Sequence, residues 1–219
     1  MAREYRDITF LVGNMDVLCN MEKIRALSMF SKGAISFLSR LSEMLLHEPR
    51  AKAYGDVIAF AFWIRKASIE NEADKYGSSG SRIGWGMAFH IAPSNIPVQF
   101  AVSLVYALIA GNASVIRVSD KDFAQVDILC EMINTLLRQE FQELSPYICI
   151  VRYAHDNEAS QMLSSACDLR IIWGGDKTIE DIRNNHTQSR CVELGFADRY
   201  SIAELNRSEE RRVGKECRS

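Results

Sequence analysis

With only four prolines and twelve glycines among 219 residues, the chain cannot be a collagen-like or Pro/Gly-rich disordered polymer. Disulfide scaffolding is equally unsupported. Of the six cysteines, Cys19, Cys130, Cys149, Cys167 and Cys191 stand far apart with no Cys-x-x-Cys pair, which argues against both a disulfide framework and a zinc knot. They are expected to be reduced core thiols. An excess of positive charge is missing too, since the formal net charge is −2, so no nucleic-acid partner is expected. The longest apolar run, Val98 to Ala110, is interrupted by Gln99 and Ser103 and falls short of the roughly 20 residues of a membrane span. No charged, apolar and small-residue series opens the chain, so a cytoplasmic location is expected. His47, His90, His155 and His186 form no metal-ligand spacing, and no metal site is predicted.

What remains is an ordinary globular composition, 47% hydrophobic and 25% charged. Its most informative stretch runs from Gly84 to Ser119. Met87 to Ala92 is a short apolar run suited to a strand buried on both faces, and Pro93 and Pro97 then fix two φ angles around Asn95. Phe100 to Ala110 is apolar on nearly every side, as a helix inside an α/β layer must be, and Gly111-Asn112 supplies the positive-φ stop. Ser114 to Val118 follows as a second strand. A right-handed crossover puts the Pro93 to Pro97 turn and the Arg117 to Asp120 turn at the carboxyl edge of the sheet, where α/β folds bind ligands.

Upstream, Leu27, Phe30, Ala34, Phe37, Leu38, Leu41 and Leu45 recur at helical spacing, and Val57, Ala61, Phe62 and Ile64 predict a second helix before a polar break from Asn71 to Arg82. Downstream, Ser119 and Asp122 resemble a capping box opening a helix over Phe123 to Phe141. Ile148 to Tyr153 reads as a strand, Glu158 to Ser165 as a helix and Leu169 to Trp173 as a strand. The expected fold class is therefore α/β, a Rossmann-like parallel sheet with a helical amino-terminal lead-in.

The Pro-x-Asn-x-Pro turn, the Ala-Leu-x-Ala-Gly-Asn string and the strand ending in a basic residue resemble the aldehyde dehydrogenase superfamily. Three further strings, Phe62-Trp63-Ile64-Arg65-Lys66-Ala67, Trp173-Gly174-Gly175-Asp176-Lys177-Thr178-Ile179 and Phe196-Ala197-Asp198-Arg199-Tyr200-Ser201, are similar to the LuxC-type acyl-CoA reductases, which make aldehydes for bacterial luciferase. The likeness runs from about Phe30 to Asn206. Beyond it, Arg207 to Ser219, RSEERRVGKECRS, resembles the translation of a common short-read sequencing adapter and is set aside as foreign, although a natural charged tail would also suit its composition. Without it Lys+Arg falls from 26 to 21 and Asp+Glu from 28 to 25, a net charge of −4. The expected organisation is a helical lead-in over 1–80, an incomplete NADP-binding α/β domain over 81–206, and a non-native tail over 207–219.

Asn95 is the candidate catalytic residue: a rigidly held neutral amide N–H stabilises the oxyanion that forms when a thiolate attacks an acyl carbonyl, which a carboxylate would not. The resemblance implies that role, while an Asn between prolines otherwise merely completes a turn. Arg117 and Ser119 sit where a strand meets the sheet edge, and a fixed guanidinium there suits a ribose or its 2′-phosphate, pointing to NADPH, or is a solvated surface group. The superfamily more usually has Lys-Pro-Ser-Glu there. Gly174 and Gly175 let the backbone approach a diphosphate, with the next helix aiming its amino end at it. Asp176 reads as a helix cap rather than a ligand contact. Ile91, Pro93, Ser94 and Thr178 complete the cofactor-binding set that the resemblance implies.

The superfamily's catalytic cysteine lies downstream of the strand that here reads Cys191-Val192-Glu193-Leu194-Gly195, so Cys191 is not its counterpart and the native sequence is expected to stop short of the nucleophile. Glu193 matches a Glu-Leu-Gly string whose glutamate activates water in hydrolytic members, but an acyl reductase needs no such water, and Glu193 reads as structural. His90 reads as a hydrogen-bonded core residue. The resemblance implies NADPH-dependent reduction of a fatty acyl-CoA or acyl-protein thioester to a long-chain aldehyde, with an acyl-transferring partner and a homo-oligomer in the full-length protein. The alternatives are an oxidative NAD(P)-dependent aldehyde dehydrogenase and a nucleotide-binding module without turnover.

Overall fold

The structure, a computed structural model, describes residues 8–76, 82–154 and 158–197. The 207–219 tail, the Asp198-Arg199-Tyr200-Ser201 string and His155 lie outside the described residues.

Six strands make one sheet: β1 (Thr9–Val12), β2 (Met87–Ile91), β3 (Ala113–Val118), β4 (Ile148–Arg152), β5 (Leu169–Trp173) and β6 (Val192–Phe196). Their spatial order is β1-β4-β3-β2-β5-β6. Neighbours are parallel except β1, which runs antiparallel to β4. Every residue of β2 and β3 is buried, as continuous apolar strands covered on both faces require.

The period-2 alternation of the strands sorts their side chains between two helical layers. Ile116, Val118, Ile148 and Ile150 pack with α2 (Lys32–His47), α3 (Gly55–Trp63), α5 (Gln99–Ile109) and α6 (Ala124–Gln139). Phe89, Ile91, Val115 and Val151 face the other way, toward α1 (Met15–Asn20), α7 (Ala159–Ala166) and α8 (Asp176–Arg183). The two leading helices are pinned where Ser42 Oγ, buried, donates to the Ala61 carbonyl at 2.7 Å.

At the amino edge of β2 and β3 the backbones of three segments meet. Gly111 adopts φ 92°, the left-handed stop expected after α5. Its carbonyl accepts from Leu27 N–H at 2.8 Å, and Gly84 N–H donates to the Leu27 carbonyl at 3.1 Å. A Cβ on Gly111 would collide with the Leu27 carbonyl oxygen, and one on Gly84 with the Gly111 backbone. Asn112, 2% exposed, accepts from the Trp85 and Gly86 N–H groups at 2.7 and 3.3 Å and donates to the Ala107 carbonyl at 3.3 Å.

The lead-in is not wholly helical, because Thr9–Val12 joins the sheet as β1. The expected break at Asn71 also comes later: α4 (Lys66–Lys75) continues through it. That helix buries only Ile69 and carries the Lys66–Glu70 and Glu72–Lys75 ion pairs at 3.7 and 2.7 Å, so its pattern is polar. Phe62, counted among the apolar positions of α3, is 47% exposed and lies under the Arg65 guanidinium, 5.0 Å from the ring centroid. The Ser119–Asp122 capping box is not formed. The helix α6 starts after Phe123 with no side-chain cap, and Ser119 Oγ accepts instead from Lys121 N–H at 3.1 Å.

Candidate functional site

The chain moves outward from β2 through β3 to β4, then returns to place β5 on the opposite side of β2. This reversal opens a crevice at the carboxyl ends of the strands, the usual ligand position in open α/β sheets. A cleft of about 340 Å³ lies there, lined by Ile91 and Ala92 from the end of β2, Pro93, Ser94 and Asn95 from the following turn, Arg117 of β3, Trp173 of β5, and Gly174, Gly175 and Thr178 at the start of α8. Segments roughly 80 residues apart in sequence thus converge, and all but one of the residues singled out in the sequence are among them. The exception is Ser119, which lines a separate hollow with Ala92, Pro93 and Pro97.

Asn95 is exposed on the cleft rim. Arg117 is held more firmly. Only 8% exposed, it places its guanidinium 5.3 Å from the Tyr153 ring centroid and donates from Nη2 to the Tyr153 carbonyl at 3.2 Å. Asp120 lies 3.9 Å from Nη2, while Nε is buried without a hydrogen-bond partner. A fixed cation with an unused buried donor, beside the amino end of α8, is a donor set suited to phosphate. Gly175 occupies the N-cap position of α8, with Asp176 first in the helix; the expected Asp176 cap is therefore displaced by one residue, though an acid in the first turn still complements the helix dipole.

Trp173 was not assigned a role in the sequence, although it directly precedes Gly174-Gly175 at a strand end. It forms one wall of the cleft and stacks on Phe196 of β6, ring centroids 4.0 Å apart and planes at 10°. Its indole Nε1 donates to Ser103 Oγ at 3.2 Å, and the same hydroxyl lies 2.7 Å from His90 Nδ1. His90 is thus the hydrogen-bonded core histidine expected, wholly buried, with Nε2 unpartnered. Burial pushes its pKa down to about 3.

That shift has a defined sign. An unfolded histidine titrates near 6.5, so below that pH the unfolded state takes up a proton that folded His90 refuses, and stability falls as the pH drops from about 6.5 toward 3. Urea unfolding at pH 7 and 4.5 should show this as a loss on the order of 2 kcal/mol that His90→Gln removes. An acid-side slope unchanged by the substitution would contradict the assignment.

Glu193 lies opposite Arg170 in the β5–β6 register. Arg170, 4% exposed, donates from Nε to Glu193 at 2.9 Å and from Nη1 to the Ile182 and Asn185 carbonyls at 3.1 and 3.0 Å. Arg183 reaches the other carboxylate oxygen at 2.6 Å. Partial burial pushes the Glu193 carboxyl up, but the hydrogen bonds from Arg183 and Arg170 outweigh it and hold the group below the usual carboxylate range. Glu193 does not line the cleft. Among the described residues no three His, Cys, Asp or Glu side chains are clustered to hold a metal, and no helix is long and apolar enough to cross a membrane.

The architecture is of the aldehyde dehydrogenase type. The chain superposes on the glyceraldehyde-3-phosphate dehydrogenase GapN of Methanocaldococcus jannaschii, solved with NADP, with a TM-score of 0.62 at 14% identity over 83% of this chain and 44% of that one. A benzaldehyde dehydrogenase of Corynebacterium glutamicum gives 0.60 at 13% identity over 83% of this chain and 45% of that one. At such identities the likeness is one of fold.

Within that fold the chain belongs to the acyl-CoA reductase (LuxC) family, whose sequence profile it matches over residues 20–215. The match continues past Asn206 into the segment set aside as foreign. A long-chain acyl-protein thioester reductase of Photobacterium phosphoreum is 24% identical over 121 residues, which make up 54% of this chain and 24% of the relative. The chain thus spans about a quarter of that relative and under half of the two dehydrogenases.

Proposed function

We propose that this chain is the cofactor-binding part of an acyl-CoA reductase that reduces a fatty acyl thioester to a long-chain aldehyde with NADPH. The observation that carries this reading is the single cleft into which Asn95, Arg117, Gly174, Gly175 and Thr178 converge. Bound there, NADPH would supply hydride for the carbonyl carbon. Arg117 would hold the ribose or its 2′-phosphate, and the Gly174-Gly175 backbone with the Thr178 hydroxyl would receive the diphosphate at the amino end of α8. Ile91, Pro93 and Ser94 would wall the nicotinamide side, where the Asn95 amide would donate to the developing oxyanion. Ser119 would flank Arg117 from the adjoining hollow.

None of the five described cysteines lines the cleft, and burial pushes the Cys149 thiol up to about 12, far from a thiolate at neutral pH. In this reading the acyl-accepting sulfur would lie outside the described residues, and the chain as it stands would bind cofactor without turnover. In the complete protein, acyl-CoA or an acyl-protein would deliver the acyl group, and the enzyme would be a cytoplasmic homo-oligomer.

Energy transfer from tryptophan to NADPH, titrated at fixed salt, tests the reading. Arg117→Ala is expected to weaken binding at least tenfold, as loss of a charge-assisted hydrogen bond predicts, and Arg117→Lys less. An unsubstituted chain that binds no NADPH, or turnover of acyl-CoA with NADPH by this chain, would refute the corresponding statement.

A further inference from the structure

At the amino edge of the sheet, opposite the cleft, two cysteine sulfurs meet. Cys167 closes α7, its N–H bonded to the Leu163 carbonyl at 3.0 Å, and is separated from the start of β5 only by Asp168. Cys191 immediately precedes β6, where Val192 N–H donates to the Asp168 carbonyl at 3.0 Å. Their Sγ atoms are 3.8 Å apart. A disulfide needs about 2.05 Å, a closure of under 2 Å that rotation about the two Cα–Cβ bonds and a small shift of the exposed β6 edge can supply. No other pair of cysteine sulfurs among the described residues is in contact.

The two thiols differ in access. Cys167 is 0% exposed, and burial, then Cys191 beside it, hold its thiol well above the usual range. Cys191 is only partly buried and directly follows Arg190, whose side chain is 74% exposed. Cys191 is thus the more accessible residue of the pair.

We propose that Cys191 and Cys167 form a thiol–disulfide exchange site for low-molecular-weight disulfides. Cys191, as its thiolate, attacks one sulfur of the small disulfide; that S–S bond breaks, a mixed disulfide forms on Cys191, and the departing thiolate takes up the proton Cys191 released. Cys167 then loses its proton and attacks Cys191 Sγ, expelling the second small thiol. Two cysteine thiols are oxidised to one internal disulfide while one small disulfide is reduced to two thiols. The new bond ties the entry of β6 to that of β5, fixing the strand whose far end stacks Phe196 on Trp173 of the cleft. The site does not depend on the function proposed above.

Incubating the intact reduced chain with cystamine under native conditions, followed by alkylation, proteolysis and mass spectrometry, tests this. The expected product joins the Cys167 and Cys191 peptides with loss of two hydrogens and no cysteamine retained. Cys167→Ser should keep cysteamine on Cys191, and Cys191→Ser should leave Cys167 unmodified. A cysteamine adduct that persists on Cys191 in the unsubstituted chain, a link from either residue to Cys19 or Cys217, or an unreacted Cys191 after Cys19 has been modified would overturn the proposal. The unsubstituted chain decides the matter by itself, so a variant that fails to fold does not blunt the test.

Discussion

Gly111→Ala is expected to cost on the order of 3 kcal/mol or more, enough to deplete the folded state of a protein with ordinary marginal stability. Two penalties add. The backbone φ of 92° at Gly111 strains any residue with a side chain, and the new methyl would strike the Leu27 carbonyl, breaking the bond by which Leu27 N–H reaches Gly111. The contacted atom is backbone and cannot swing aside. Gly33, near the start of α2 with nothing within 4 Å of an added Cβ, is the matched control, and Gly33→Ala should be neutral or stabilising by up to about 1 kcal/mol. Urea denaturation of both variants checks the pair. A loss below about 1 kcal/mol at Gly111 would show that the three-segment junction can relax.

Glu193→Ala should be the most damaging single change on the outer strands. It would strand the Arg170 guanidinium, whose side chain is 4% exposed, with only carbonyl partners, and breaking a buried pair from one side costs about 3–5 kcal/mol. Because the Glu193 side chain keeps 20% exposure and is shared with Arg183, a cost at or just below the lower end of that range, about 2–3 kcal/mol, is expected. Its carboxyl sits below the usual carboxylate range, so it contributes stability above an unfolded pKa near 4.3 that is lost as the pH falls further. The variant should lack that part of the acid slope. The outcome also separates two readings of the chain: a water-activating glutamate of an oxidative dehydrogenase can be removed with little loss of stability, whereas a structural clamp cannot. Unchanged urea midpoints at pH 7 would favour the former.

Where burial was extensive, the sequence was readable. The strand over Leu169 to Trp173 has the bounds that its apolar run marks, and the helix before Gly111-Asn112 is displaced by one residue, spanning Gln99–Ile109. The convergence at the cleft was legible because turns at strand carboxyl ends are obliged to meet there. The misses have a common cause in partners that local patterns do not reveal. Thr9–Val12 is short, mostly not buried, and becomes a strand only by pairing with β4. Lys66–Lys75 is stabilised by side-chain pairs rather than an apolar stripe. Ser119 looked like a cap, but Phe123 directs the chain into α6. The role of Trp173 depends on Ser103 and His90 on other elements, a triad invisible until the sheet is assembled.

The pairing of Thr9–Val12 with Ile148–Arg152 also bears on biosynthesis. A ribosome adding about 5–20 residues per second releases the first strand roughly seven to thirty seconds before its hydrogen-bonding mate emerges. Throughout that wait the apolar side chains of Phe10, Leu11 and Val12 have no partner strand beside them and are open to other contacts.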